Sequence, residues 1–215
     1  MTTLTNGVLN SKEYWEKRVL SEGFNAVSTV GDSKQRTEEE ISFLTNEVLG
    51  IYPSKVDLAI DFGAGWGRLL PVLIATSKKR VLVDFIEENK RLFFWSCWKN
   101  NGSTFVVSRI KDFKTENPFD YAMTSFSLLH IIDEQEFLES VKAMIEAVRI
   151  GGHLFIYESY NESGKVAAHC SNRNRSEFLE PFKDCVLIKE IDWRSQYQPY
   201  ETKCHQPIKL FIFRR

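Results

Sequence analysis

Several protein classes are excluded by what this sequence has little of. Its four cysteines form no C-x-x-C pair in 215 residues, so no disulfide framework or thiolate zinc site is expected, and free thiols in a cytoplasmic setting are the simplest reading. His169-Cys170 and Cys204-His205 are adjacent pairs. Neighbours on an extended segment point to opposite faces, so each pair is expected to supply one ligand, and no metal site is expected. No stretch approaches about 18 uncharged apolar residues, so no membrane-spanning helix is expected. The opening MTTLTNGVLNSKEYW lacks a basic start followed by an apolar run, so no signal peptide is expected either. A net charge of −1 and a pI near 6.5 leave no electrostatic footprint for nucleic acid. The short basic clusters at Lys78-Lys79-Arg80 and Arg173/Arg175 read as solvated loop charges.

What is present is an ordinary globular composition, 43% hydrophobic and 27% charged, long enough for one domain with a sizeable core. An N-terminal helix and lid segment is expected over 1–36, with the main body over 37–215. SKEYWEKRVL reads as a short helix with Ser11 as N-cap, and residues 21–36 as a loop. In RTEEEISFLTNEVLGI, Thr37 is the expected cap, Ile41, Leu44, Val48 and Leu49 share a face, and Gly50 is the expected stop. From VDLAIDF onward, apolar runs alternate with helical stretches. The strands RVLVDF, STFVVS, FDYAMTSF and HLFIYES follow, and the helix EQEFLESVKAMIEAVRI is expected to end at Gly151-Gly152. This rhythm predicts βαβ units and a parallel sheet with helices on both faces. After a helix around SEFLEPF, VLIKEIDWRSQ and IKLFIFRR have no room for a helix between them, which predicts an antiparallel hairpin at the sheet edge. Phe93, Phe94, Trp95 and Trp98 read as core on a helix packed against the sheet.

The stretch IDFGAGWGRLL carries the chemistry. Gly63, Gly65 and Gly67 lie where the first core strand turns into its helix, where glycine permits positive φ and close approach to a ligand. A dinucleotide fingerprint would place a third glycine at position 68, which holds Arg68. Asp84 ends the next strand, 23 residues after Asp61, about where a carboxylate meets a ribose diol.

DFGAGWG, VLVDF and the terminal hairpin together resemble the class I S-adenosylmethionine-dependent methyltransferases, over roughly residues 40–215. That resemblance implies a Rossmann-like α/β fold: seven strands, mostly parallel, with a C-terminal antiparallel hairpin. DFGAGWGR, VDFIEE, IKDF before PFDY, SFSLLHIIDEQEFLES and the early EYWEKR are similar to the protein α-N-terminal methyltransferases. The likeness implies cofactor roles for Trp15 closing over the site, Gly63 and Gly65 at the methionine part and Arg68 at its carboxylate. It further implies Asp84 at the ribose, Phe85 and Ile86 flanking adenine, Ile110 and Lys111 holding its edge, and Ser125 along the methionine tail. The acceptor side departs from that family, with Phe126 in place of tryptophan, Ser159 in place of asparagine, and few acids in NESGKVAAHCSNRNRS. The expected activity is therefore methyl transfer to nitrogen or oxygen of a small molecule, with a peptide or protein amine as the alternative. Segments 20–36 and 160–176 are the expected lids.

Methyl transfer from a sulfonium is an in-line displacement, so orientation and desolvation matter most and a base helps only if the acceptor must lose a proton. His130, after the fourth strand, and Glu158, ending the fifth, are the candidates for that work. Tyr157, Ser159, Tyr160 and Phe126 are expected in the acceptor pocket. A nicotinamide-dependent oxidoreductase, or a methyltransferase fold without activity acting as a partner subunit, would use the same glycine turn. Oligomeric state is not legible in the sequence.

Overall fold

The computed structural model describes residues 11–26, 34–96, 102–160, 169–193 and 208–215. Seven strands form one sheet: β1 (Val56–Phe62), β2 (Ser77–Asp84), β3 (Ser103–Val107), β4 (Phe119–Ser125), β5 (Val148–Ser159), β6 (Val186–Trp193) and β7 (Ile208–Arg214). Their order is β3-β2-β1-β4-β5-β7-β6, with β7 antiparallel to both β5 and β6 and the remaining pairs parallel. The expected sheet and its terminal hairpin are therefore present. Helices α1 (Ser11–Glu22), α2 (Lys34–Ile51), α3 (Leu70–Thr76), α4 (Glu87–Trp95), α5 (Glu134–Ala147) and α6 (Arg175–Leu179) surround it. Among the described residues no helix is long and apolar enough to cross a membrane.

The central strands are apolar on successive residues because both faces are covered. On β5, Leu154 and Ile156 join one core layer with Phe137 and Val141 of α5, and Phe155 and Tyr157 join the other with Leu44 and Val48 of α2. β7 divides the same way, Phe211 and Phe213 against Leu210 and Ile212. Such two-sided burial fixes register, because a one-residue slip would exchange the layers.

Four local expectations need correction. α2 begins at Lys34, so Thr37 lies inside the helix rather than capping it, and the helix passes Gly50 to end at Ile51. α5 stops at Ala147, and Val148 enters β5 directly beside Phe119. The apolar spacing of Val148 and Ile150 continues the helical pattern, but strand pairing with β4 wins. The pairing then shifts register between Phe119 and Tyr121, with Gly151 at φ +76°. Lys78-Lys79-Arg80, expected as solvated loop charges, belong to β2, which starts at Ser77, and Arg80 is buried. On α4, Phe93 is fully buried whereas Phe94 and Trp95 are exposed, since consecutive helical residues turn by about 100° and cannot all face inward; Trp98 lies outside the described residues.

The chain runs β1 to β2 to β3 on one side, then crosses to β4 on the other. The carboxyl ends of β1 and β4 are thus the point where the winding reverses, where open α/β sheets place their ligands.

Candidate active site

A cleft opens at that reversal, floored by the glycine turn after β1. Gly63, Gly65 and Gly67 all have positive φ, +69°, +56° and +94°. The N–H groups of Gly63 and Ala64 both donate to the Val83 carbonyl, at 2.8 and 3.0 Å, which pins the turn to β2. At Gly63 no side chain fits. A Cβ there would lie 2.1 Å from Ser127 Oγ, a hydroxyl that donates to the Gly63 carbonyl at 3.0 Å. The turn after β4 is thereby packed directly onto the turn after β1.

Two acids flank the turn. Asp84, buried at the end of β2, accepts from the Gly65 N–H at 2.9 Å, from the Ile86 N–H at 2.9 Å and from Asn89 Nδ2 at 3.1 Å. Burial raises its pKa, opposed by these donors. Asp61, at the end of β1, is 2% exposed, and its Oδ1 has no hydrogen-bond partner among the described residues. Burial, opposed by the Arg68 charge, pushes its pKa up to about 8. A buried acceptor of this kind carries a desolvation penalty that a ligand donor would remove. Asp61 is the acid that opens the glycine motif DFGAGWG.

Arg68 lines the cleft and is 8% exposed. Its guanidinium is paired with Glu40, a fully buried carboxylate on α2 that also meets Arg36 at 3.5 Å and accepts from the Tyr157 hydroxyl at 3.2 Å. Its Nη2 donates to Ser125 Oγ at 3.3 Å. Its planar guanidinium has the fork geometry that matches a carboxylate.

Phe85, Ile86 and Ile110 form an apolar wall of the cleft beside Asp84. Trp15 also lines it, joined to Val19, Ile86 and Leu92 in a small cluster that fastens α1 to the body. The expected backbone partner Lys111 is absent from the lining, and its ammonium pairs with Glu139 at 3.3 Å. Of the two expected lids, residues 27–33 and 161–168 lie outside the described residues. The described part of the first reaches the glycine turn, where Trp66 Nε1 donates to the Phe24 carbonyl at 3.0 Å.

The far end of the cleft is built by the turn after β4. His130 stacks against His169 with ring centroids 5.3 Å apart and meets Trp15 edge-on at 4.8 Å, while Tyr14 also stacks on His169 at 4.8 Å. Burial pushes the His130 pKa down to about 4, and Arg18 acts in the same direction. Its Nδ1 lies 3.0 Å from the His169 carbonyl, which only accepts. Nδ1 therefore carries the proton and Nε2 the lone pair. Cys170 Sγ sits 3.7 Å from the same Nδ1. The donor atoms of His130, His169 and Cys170 fall within 4.8 Å of one another, which corrects the expectation that adjacent 169 and 170 supply one ligand. The nearby Arg18 cation and the occupied Nδ1 oppose a metal ion there.

The fifth strand is where the expected acceptor residues separate. Phe126 lines the cleft with a left-handed backbone, φ +52°, an unusual conformation for an aromatic residue, held by its N–H donating to the Tyr157 carbonyl at 3.0 Å. Glu158 is fully buried and does not line the cleft. Its carboxylate accepts from the N–H groups of Ser127, Leu128 and Leu129 at 2.7, 2.9 and 3.4 Å, so it clamps the turn that presents His130. Tyr157 points into the opposite core layer, Tyr160 packs on Phe211, and Ser159 pairs with Ile208 at the β5–β7 seam. None of these three lines the cleft. Tyr157 and Glu158, as successive strand residues, point to opposite faces of the sheet and cannot share one pocket. Among the lining residues not anticipated are Asp61, Asn89, Ser127, Arg18 and His169. Arg18 had a signal, one helical turn after Trp15.

No family model matches the chain. It is 27% identical over 195 residues to phosphoethanolamine N-methyltransferase 1 of Zea mays, covering 83% of this chain and 36% of that protein. It is 26% identical over 205 residues to phosphoethanolamine N-methyltransferase 3 of Arabidopsis thaliana, covering 90% and 40%. The chain thus spans well under half the length of these curated relatives. Its fold superposes on the N-methyltransferase NodS of Bradyrhizobium japonicum, solved with S-adenosyl-L-homocysteine, with a TM-score of 0.75 at 15% identity over 96% of this chain and 99% of that one. The architecture is that of a Rossmann-like methyltransferase.

Proposed function

We propose that this chain is an S-adenosylmethionine-dependent methyltransferase acting on nitrogen of a small-molecule acceptor, with a phosphorylated amine such as phosphoethanolamine as the first acceptor to try. The observation that carries the cofactor is the pair of acids around the glycine turn. Asp61 offers a buried oxygen, unpartnered among the described residues, that a ligand ammonium would satisfy, and Asp84 lines the cleft beside an apolar wall. Arg68 would meet the carboxylate, Phe85, Ile86 and Ile110 the adenine, and Trp15 would close the cleft. When bound, the cofactor supplies a methyl group activated on a sulfonium.

The remaining work belongs to the protein. An ammonium acceptor must lose its proton before nitrogen can attack. His130, whose pKa lies near 4, is too weak a base to hold that proton and would instead accept a hydrogen bond on its Nε2 lone pair from the neutral amine and orient it toward the methyl group. Glu158 acts through the backbone of 127–129 as a positioning residue. The aromatic ring of Trp15, His130 and His169 excludes water from the reacting end. The curated relatives support the small amine; a peptide α-amine, suggested by the sequence motifs, is the second acceptor. A cytoplasmic setting, expected from the lack of any C-x-x-C pattern in the sequence, is part of this reading.

Incubation with tritiated S-adenosylmethionine and either phosphoethanolamine, ethanolamine or an unblocked N-terminal peptide tests this. Label in a small amine, lost in His130→Ala, is the expected result. Label in the peptide alone would replace the acceptor assignment, and no label in any amine would contradict it.

A further inference from the structure

Asn89 lies in the first turn and a half of α4, 3% exposed, in the wall of the cleft beside Asp84. No sequence pattern pointed to it. Its amide nitrogen donates to Asp84 Oδ1 at 3.1 Å. That contact fixes the orientation of the amide, because the reverse would set its carbonyl against a carboxylate oxygen. The carbonyl Oδ1 is then the outward end, and it is buried with no hydrogen-bond partner among the described residues. Native structures leave few buried acceptors in this state, and each calls for an explanation.

The lone pairs of Asp84 sharpen the point. A carboxylate has about four acceptor sites. Oδ1 already takes the Ile86 N–H and the Asn89 amide, and Oδ2 takes the Gly65 N–H. Asp84 therefore has room for one further donor at most, whereas a ribose diol brings two. The second hydroxyl needs another acceptor nearby, and Asn89 Oδ1 is buried, unpartnered and tied to Asp84 by its own nitrogen.

On the reading that the cleft binds S-adenosylmethionine, we infer that the ribose diol is shared, with one hydroxyl donating to Asp84 and the other to Asn89 Oδ1. Asn89 is then a cofactor-binding residue in its own right. The assignment makes both hydroxyls necessary and gives each a separate partner.

A binding cycle tests it. Wild type, Asn89→Leu and, should that variant not fold, Asn89→Ala are titrated calorimetrically with S-adenosylhomocysteine and with its 2′-deoxy and 3′-deoxy analogues. Each substitution is expected to weaken S-adenosylhomocysteine binding by about 3- to 10-fold, the range of one neutral hydrogen bond. For one deoxy analogue, the one lacking the hydroxyl that Asn89 accepts, wild type and variant should bind alike. The other analogue should still discriminate between them. If the variant loses the same factor against all three ligands, Asn89 only supports Asp84 and the inference fails. Wild type that binds none of the three overturns the cofactor reading itself, which sets that failure apart from the failure of Asn89 alone.

Discussion

Binding of the cofactor should be linked to a proton, and Asp61 sets the sign. Its carboxyl is buried against the glycine turn and has its pKa pushed up to about 8, so in the free protein it is mostly protonated below that pH. A cofactor ammonium placed beside Oδ1 needs the ionised form. Cofactor binding then drives off the Asp61 proton, and affinity rises with pH up to about 8. The cofactor's own α-amino group has a reference pKa of about 8 and must keep its proton, so affinity falls again above that point. Between pH 6 and pH 8 the ionised fraction of Asp61 climbs from about one in a hundred to one half, while the protonated amine halves, a net gain of about 25-fold. Calorimetry of S-adenosylhomocysteine binding at pH 6.5, in buffers of different ionisation enthalpy, should show close to one proton released per ligand. In Asp61→Asn the release should vanish and the affinity should become flat below pH 7. Affinity independent of pH between 6 and 8 in wild type, or proton release persisting in Asp61→Asn, would refute the placement of the ammonium.

Three further outcomes are expected. Gly63→Ala forces a residue at φ +69° to carry a side chain into Ser127, so urea unfolding should show a loss of at least about 2 kcal/mol from the left-handed backbone and the displaced turn together. Burial raises the Glu158 pKa to about 7, above the unfolded value of 4.5, so the folded chain holds a proton that the unfolded chain releases between those values. Stability should therefore fall as pH rises from about 4.5 to 7, by up to about 3 kcal/mol from this group, and Glu158→Gln should flatten that part of the urea-midpoint profile. His130→Ala should cut turnover by about 10²-fold through loss of acceptor orientation while leaving S-adenosylhomocysteine affinity within a few fold. In wild type, turnover should show no inflection above pH 5 from His130, because its pKa lies near 4.

The sheet was readable in the sequence because two-sided burial writes parallel strands as uninterrupted apolar runs. The glycine turn was readable because its three glycines meet a backbone requirement that other residues fill poorly. Residues whose role depends on what lies across the cleft were not readable. Glu158 and Tyr157 are neighbours in sequence, yet one faces the backbone of 127–129 and the other Glu40 on α2. The helix-to-strand switch at Val148 was hidden because Val148 and Ile150 continue the spacing of α5. Nothing in EENKRLFF distinguishes Asn89 from a surface polar residue; only the fold brings it against Asp84.

The central claim is that the cleft between the β1 and β4 turns holds S-adenosylmethionine. Titrating wild type and Asp84→Ala with S-adenosylhomocysteine and, separately, with NAD tests it most directly. Micromolar binding of S-adenosylhomocysteine by wild type, lost in Asp84→Ala and absent for NAD, is the result the account predicts. Binding of NAD, or of neither ligand, would contradict it.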